Sequence, residues 1–167
     1  MKVIAFGEIL FDQIGDNSYI GGAPLNFIAN SVQCGAEGAI ISAVGRDSLG
    51  SVAQNQLEKF KVSTQFLQTN MYPTGTVKVT LHNGQPNYEI LENVAYDFID
   101  VSILNTEELN NYDFFYFGTL AQRNSTNHNS IKKILNNYNF NTVFLDVNLR
   151  QAFYNLAVLG YSISKCN

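Results

Sequence analysis

The sequence predicts an α/β fold with a small antiparallel β insertion, and three observations point to it. Residues 2–6 and 39–44 are short β-rich runs, each ending in a glycine, Gly7 and Gly45, as buried parallel strands do. Between them, Leu25, Phe27, Ile28, Ala29 and Val32 recur at helical spacings, the pattern of one buried helix face. Residues 75–81 instead alternate, with Val77, Val79 and Leu81 on one side and Thr76, Lys78 and Thr80 on the other, which marks a sheet with one wet face.

Each element has its own local signals. The helix over 25–34 is opened by Pro24 and closed by Gly35, a start and a stop that complete a β-α-β unit. A second helix over 48–60 has Asp47 or Ser48 as N-cap, Leu49, Val52, Ala53, Leu57 and Phe60 on one face, and Lys59 and Lys61 near its negative end. The alternating run meets a second strand at 88–91 through His82-Asn83-Gly84, a hairpin around an Asn-Gly turn. Strand and helix alternation then resumes, with an aromatic strand at 114–117, a helix over 125–136, a strand at 142–145 and a helix over 156–166.

Composition narrows the class. The 167 residues are 46% hydrophobic and 14% charged, with 10 Lys+Arg against 14 Asp+Glu and a net charge of −4, enough apolar chain for one domain and too little charge to drive disorder. The acidic balance without a basic cluster argues against a nucleic-acid partner. No run is long enough to cross a bilayer, the N-terminus lacks a secretory apolar core, and Cys34 and Cys166 make no disulfide framework, so a cytoplasmic setting is expected.

The strands end in Gly7-Glu8, Gly45-Arg46-Asp47, Gly118-Thr119 and Asp146-Val147-Asn148, which places polar groups at the carboxyl edge of a parallel sheet, where open α/β sheets bind small ligands. In Gly21-Gly22-Ala23-Pro24-Leu25-Asn26, paired glycines let a ligand approach backbone N–H groups at a helix N-terminus, and Asn26 can exchange hydrogen bonds with a sugar hydroxyl. An ordinary tight helix start explains the same pattern equally well. Asp12 is a carboxylate among Leu10, Phe11 and Ile14, either a ligand for adjacent polyol hydroxyls or a surface turn residue beside Gly15-Asp16-Asn17. Asp146, Asn148 and Arg150 alternate past a strand and are expected to share a face, either as a polar site or with Asp146 and Arg150 as a structural ion pair. There is no Walker loop, no Gly-x-Gly-x-x-Gly after the first strand, no His or Cys cluster at metal-ligand spacing around His82 or His128, and no nucleophile elbow.

Together these segments resemble the ribokinase-like (PfkB) carbohydrate kinases, and within them the bacterial fructokinases. Gly21-Gly22-Ala23-Pro24, Asn26, Gly35 and Gly45 are similar to the family's first signature, with one departure at Ile28, where a small residue is usual. The likeness continues through Val44-Gly45-Arg46-Asp47-Ser48-Leu49-Gly50, Pro73-Thr74-Gly75-Thr76, Asn93-Val94-Ala95-Tyr96-Asp97, Phe117-Gly118-Thr119-Leu120-Ala121-Gln122-Arg123 and Asp146-Val147-Asn148-Leu149-Arg150-Gln151. The resemblance implies residues 1–167 as the N-terminal part of a kinase domain: a parallel sheet flanked by helices and a small antiparallel β lid, with lid strands near 10–22 and 74–98. It implies ATP-dependent phosphoryl transfer to a sugar hydroxymethyl, the sugar being fructose or a related hexose. Asp12, Gly21, Gly22, Ala23 and Asn26 would bind the sugar, Tyr88 and Tyr96 of the lid would cover it, and Asn148 and Arg150 would line its phosphate side. A homodimer through the lid is also implied.

The family's second signature, a Gly-Ala-Gly-Asp type turn whose Asp is the catalytic base, is not found in these residues. Nor are the ATP pocket and the monovalent-cation site, so ATP and Mg²⁺ would be held mostly by a C-terminal half outside this chain. No catalytic residue is assigned within the chain, which on its own is expected to be inactive. The alternatives are a non-catalytic sugar-binding or dimerisation module, and a kinase of the same fold acting on a nucleoside or another sugar. The strand at 142–145 is expected to leave an open parallel edge.

Overall fold

A computed structural model describes residues 1–82, 85–104 and 106–167. The main sheet has β1 (Lys2–Phe6) at its centre, flanked by β4 (Glu37–Gly45) and β8 (Phe114–Gly118), with β5 (Leu67–Asn70) outside β4 and β9 (Thr142–Asp146) outside β8. Every pairing is parallel: Val3 lies opposite Gly38 and Phe114, and Phe117 opposite Leu145. The side-chain period of two sorts β1 onto two layers. Val3 and Ala5 pack with Leu25 and Ile28 of α1 (Ala23–Gln33) and with Ala53 and Leu57 of α2 (Ser48–Lys59). Ile4 and Phe6 face Ile131 and Ile134 of α3 (Ser125–Asn137) and the 3-10 turns that carry Ala95, Ile99 and Val101. A short α4 (Leu156–Ser164) follows.

The expected elements are present, and β5 is an addition: four residues with one buried side chain carry too short a pattern to read as a strand. The departure at Ile28 has a local explanation. A side chain on Gly38 of β4 would come within 2.9 Å of Ile28 Cδ1, so the missing Cβ across the helix–sheet contact makes room for the larger residue.

A second sheet is built from β2 (Leu10–Ile14), β3 (Asn17–Gly21), β6 (Gly75–His82) and β7 (Gln85–Ile90), in the order β3-β2-β6-β7. This lid is mixed, not wholly antiparallel. Each hairpin is antiparallel, but β2 and β6 run parallel, with Leu10 opposite Gly75 and Ile14 opposite Val79. The two hairpins are separated in the chain by α1, β4, α2 and β5, so no tight turn dictates how they meet. The Asn83-Gly84 turn lies outside the described residues.

The base of the lid is tied to the sheet by a side-chain latch. Asp47 caps α2, accepting from Gly50 N–H at 2.7 Å, and also accepts from Thr74 N–H at 2.8 Å and Thr74 Oγ1 at 2.7 Å. Thr74 Oγ1 in turn accepts from Gly45 N–H at 2.9 Å. Partial burial pushes the Asp47 carboxyl up, but the hydrogen bonds from Thr74, Gly50 and Leu49 outweigh it and hold the carboxyl below its ordinary range. The latch is therefore complete at neutral pH and weakens as pH falls through that lowered value. Asp47→Ala should cost about 2 kcal/mol, a lost cap plus the buried Thr74 groups left unpaired. Chemical unfolding at neutral pH reads this directly, and a loss below about 0.5 kcal/mol would show the latch to be idle.

The outer edge of β9 is partly closed by the chain itself. Val143 N–H donates to Asn167 Oδ1 at 2.7 Å, and Asn167 N–H donates to Val143 O at 3.4 Å. Among the described residues β9 is the outermost strand on that side of the main sheet.

Candidate functional site

At the carboxyl edge of the main sheet, below the lid, lies a cavity of about 720 Å³. Asp12 and Leu10 reach it from β2, Gly22, Ala23 and Asn26 from the start of α1, and Val77, Asn87, Tyr88 and Ile90 from the lid. Asn148, Arg150 and Gln151 close it from the segment after β9. Seven of the nine residues expected at a site, Asp12, Gly22, Ala23, Asn26, Tyr88, Asn148 and Arg150, therefore converge on one wall-to-wall space.

Gly22 is the pivot of this arrangement. It turns the chain from β3 into α1 with φ of 114°, and a Cβ there would lie 2.3 Å from the Glu8 carbonyl oxygen. Only glycine accepts both the backbone angle and the approach. The turn sets Asn26, whose N–H makes the first helical bond to Gly22 O at 2.9 Å, on the exposed side of the first turn. Gly21 does not line the cavity. It is buried behind Asp12, where a Cβ would sit 3.4 Å from Asp12 Oδ2. Burial pushes the Asp12 carboxyl up from its ordinary value, and the Arg150 guanidinium opposes that shift.

Tyr96 does not cover the cavity. It is 0% exposed and lies under Gly75, where a Cβ would meet its ring at 2.4 Å. It belongs to the apolar layer joining lid to body, with Leu10, Val77, Ile90 and Leu120. An aromatic residue inside a 3-10 turn carries no periodicity to say which way it faces, so the sequence places it in the lid region without placing its ring. Tyr88 is about half exposed on β7, and its carbonyl accepts from Gln151 Nε2 at 2.6 Å. That bond ties the lid to the segment carrying Asn148 and Arg150.

Asp146 parts from Asn148 and Arg150. Its Oδ2 accepts from Tyr116 Oη at 2.7 Å, and among the described residues it forms no ion pair with Arg150; the pairs found are Lys2–Glu37 and Arg123–Asp97. The strand alternation ends at Asp146, and Thr119 Oγ1 holds the next turn by donating to Asn148 O at 2.9 Å.

Glu8, named above only as part of a polar strand end, is a cavity residue as well. Its Oε1 accepts from Ala23 N–H at 3.2 Å, and burial, against the hydrogen bonds of the Glu8 and Ala23 N–H groups, raises its carboxyl to about 7. The available signal was a carboxylate between Phe6 and the apolar pair Ile9-Leu10, an environment in which an acid is costly unless it has a partner.

Comparison with known proteins gives the family and the fold. The pfkB family carbohydrate kinase pattern matches residues 4–162. The sugar kinase PH1459 of Pyrococcus horikoshii is 26% identical over 161 residues, covering 89% of this chain and 52% of that protein. Its crystal structure, described as that of an uncharacterized sugar kinase, superposes with a TM-score of 0.84 over 98% of this chain and 63% of that one. An ATP-dependent 6-phosphofructokinase of Thermoanaerobacterium thermosaccharolyticum is 32% identical over 95 residues, 50% of this chain and 30% of that protein. The fructokinase of Xylella fastidiosa with bound ATP shares the fold, with a TM-score of 0.85 over 99% of this chain and 56% of that one at 16% identity. The chain thus spans about half the length of the first relative.

Proposed function

The chain belongs to the pfkB family of carbohydrate kinases, and from that membership we propose that it carries the sugar-binding and lid part of a sugar kinase of fructokinase type. The observation that supports this reading is the convergence of Asp12, Asn26, Asn148 and Arg150 on one cavity at the sheet edge, beneath a small sheet. A carboxylate accepts from adjacent hydroxyls, a side-chain amide both gives and accepts, and a guanidinium donates along a plane. That set suits a polyol. Gly22 and Ala23 bring backbone close to the ligand, and Tyr88 with its Gln151 tether gives the lid a contact that can close over the ring and exclude water.

ATP supplies the phosphoryl group in this reading. The cavity fits the acceptor and not the donor: among the described residues that line it, Arg150 is the one cation, set against Asp12 and Glu8. A triphosphate with its Mg²⁺ calls for a phosphate cradle of backbone N–H groups or several positive groups, and the sequence has no such loop. The 167 residues are therefore expected to bind sugar without turning over ATP.

Calorimetry of the 167-residue chain with fructose, and separately with Mg·ATP, tests the reading. Fructose should bind, Mg·ATP should not, and Asp12→Asn should weaken the sugar about tenfold or more, as loss of a charged hydrogen-bond acceptor does. Nucleotide binding, ATP turnover, or fructose affinity indifferent to Asp12→Asn would overturn it.

A further inference from the structure

The carboxyl of Glu8 is the polar group of the cavity wall for which the site as described has no use. It is 3% exposed. Oε1 is engaged by Ala23 N–H at the start of α1, while Oε2 is buried and has no hydrogen-bond partner among the described residues. An ionised carboxylate in such a place calls for donors on both oxygens or a nearby cation. The N–H groups of Glu8 and Ala23 and the Arg123 guanidinium favour the anion, but burial outweighs them, and no charged or titratable group facing Glu8 donates to Oε2. Those groups are Asp146 from β9, the phenols Tyr116 from β8 and Tyr96 below the lid, and Arg123. Tyr116 already donates to Asp146, Arg123 is engaged by both oxygens of Asp97 through Nε and Nη2, and the two donors left over, Tyr96 Oη and Arg123 Nη1, make no hydrogen bond to Oε2.

The neutral acid fits where the anion does not. With Oε1 accepting from Ala23 N–H, the proton belongs on Oε2, which leaves a buried O–H donor that makes no hydrogen bond among the described residues. The two cavity carboxyls flank the same glycine pair: Asp12 Oδ2 lies against Gly21 and Glu8 Cγ against Gly22. Glu8 lines the cavity and its χ3 torsion is soft, so the carboxyl can turn Oε2–H toward a bound ligand.

We propose that Glu8 is a substrate-contacting residue of the sugar site, whose Oε2–H donates to an oxygen of the bound polyol while Asp12 accepts a hydroxyl hydrogen from the same molecule. This rests on the sugar-binding function proposed above. A neutral donor beside an ionised acceptor reads hydroxyl groups with direction, so a deoxy analogue leaves one of the two unpaired and is rejected.

The test is fructose binding by calorimetry between about pH 5.5 and about pH 8.5, for the wild-type chain, Glu8→Gln and Glu8→Leu, each checked for cooperative melting. Glutamine keeps an acceptor for Ala23 N–H and places an N–H donor where Oε2–H was; leucine does neither. Wild-type affinity should fall about tenfold across this range as the donor is lost, Glu8→Gln should be flat and within about threefold of the wild-type acid limit, and Glu8→Leu should be weaker by about tenfold or more. A flat wild-type profile, or equal affinity for wild type and Glu8→Leu, would overturn the role of Glu8 and leave the sugar site standing. Absence of fructose binding by the wild type at every pH would overturn the proposed function instead. The ¹³C titration of the Glu8 carboxyl in the free chain then decides the assigned proton by itself: a midpoint in the ordinary carboxylate range refutes it.

Discussion

Arg123→Ala should be the most damaging single substitution in the chain, costing about 3–5 kcal/mol of folding free energy, the range for removing one partner of a buried ion pair. The Arg123 side chain is 6% exposed and that of Asp97 3%. Nε donates to Asp97 Oδ1 at 2.7 Å, and Nη2 donates to Asp97 Oδ2 at 2.8 Å and to Leu91 O at 2.6 Å. The guanidinium also stacks between two rings, 5.1 Å from the centroid of Tyr96 and 4.7 Å from that of Phe153. Alanine removes all of this and strands the Asp97 carboxylate in the apolar layer between lid and body. Lysine should rescue little, since it cannot reproduce a planar two-point contact and stack at once. The double variant Arg123→Met with Asp97→Leu should be less destabilised than Arg123→Ala, because it leaves no buried charge behind. Urea unfolding midpoints of the three variants check the argument; a loss under about 1 kcal/mol for Arg123→Ala would place the pair among those that contribute little.

This pair also shows what the sequence does and does not disclose. The segments ending in Asp97 and Arg123 stand out for their likeness to the family, but nothing in either predicts that they meet, because two side chains 26 positions apart leave no periodic trace. Elements with a period are legible: β1, β4, α1, α2 and α3 follow from the spacing of their apolar residues, and their sheet edge follows from the polar residues after each strand. Gly22, Ala23, Asn26, Asn148 and Arg150 reach the cavity because they stand at the start of α1 or past the end of β9, where the fold fixes their location, while Asp12 and Tyr88 reach it from within the lid strands. Tyr96 and Gly21 miss it because one step of backbone decides between facing the cavity and backing it. The parallel meeting of β2 and β6 is invisible for a related reason. Alternation says which face of a strand is buried, not which neighbour it takes.

The second large effect is a stability that changes with pH through Glu8. Burial, opposed by the N–H groups of Glu8 and Ala23, moves the carboxyl from its ordinary 4.5 to about 7. Between those values the folded chain holds a proton that the unfolded chain has released, so stability falls as pH rises through that window and levels off above it. The gap amounts to about 3 kcal/mol at its fullest. Glu8→Gln removes it: wild type and variant should be about equally stable near pH 5, and the variant should be ahead by about 2–3 kcal/mol near pH 8. Melting temperatures at the two pH values are sufficient to read this, and a difference that does not change with pH would show that Glu8 does not carry the proton. The sign is opposite to that of Asp47, whose lowered carboxyl makes the chain lose stability toward acid. A substitution that stabilises the fold at neutral pH and above without enlarging the side chain means that the acid is a cost to the fold. Residues that break the rules of burial in this way are expected where function requires them. Glu8 breaks them in the wall of the cavity, one hydrogen bond away from the start of the helix that carries Asn26.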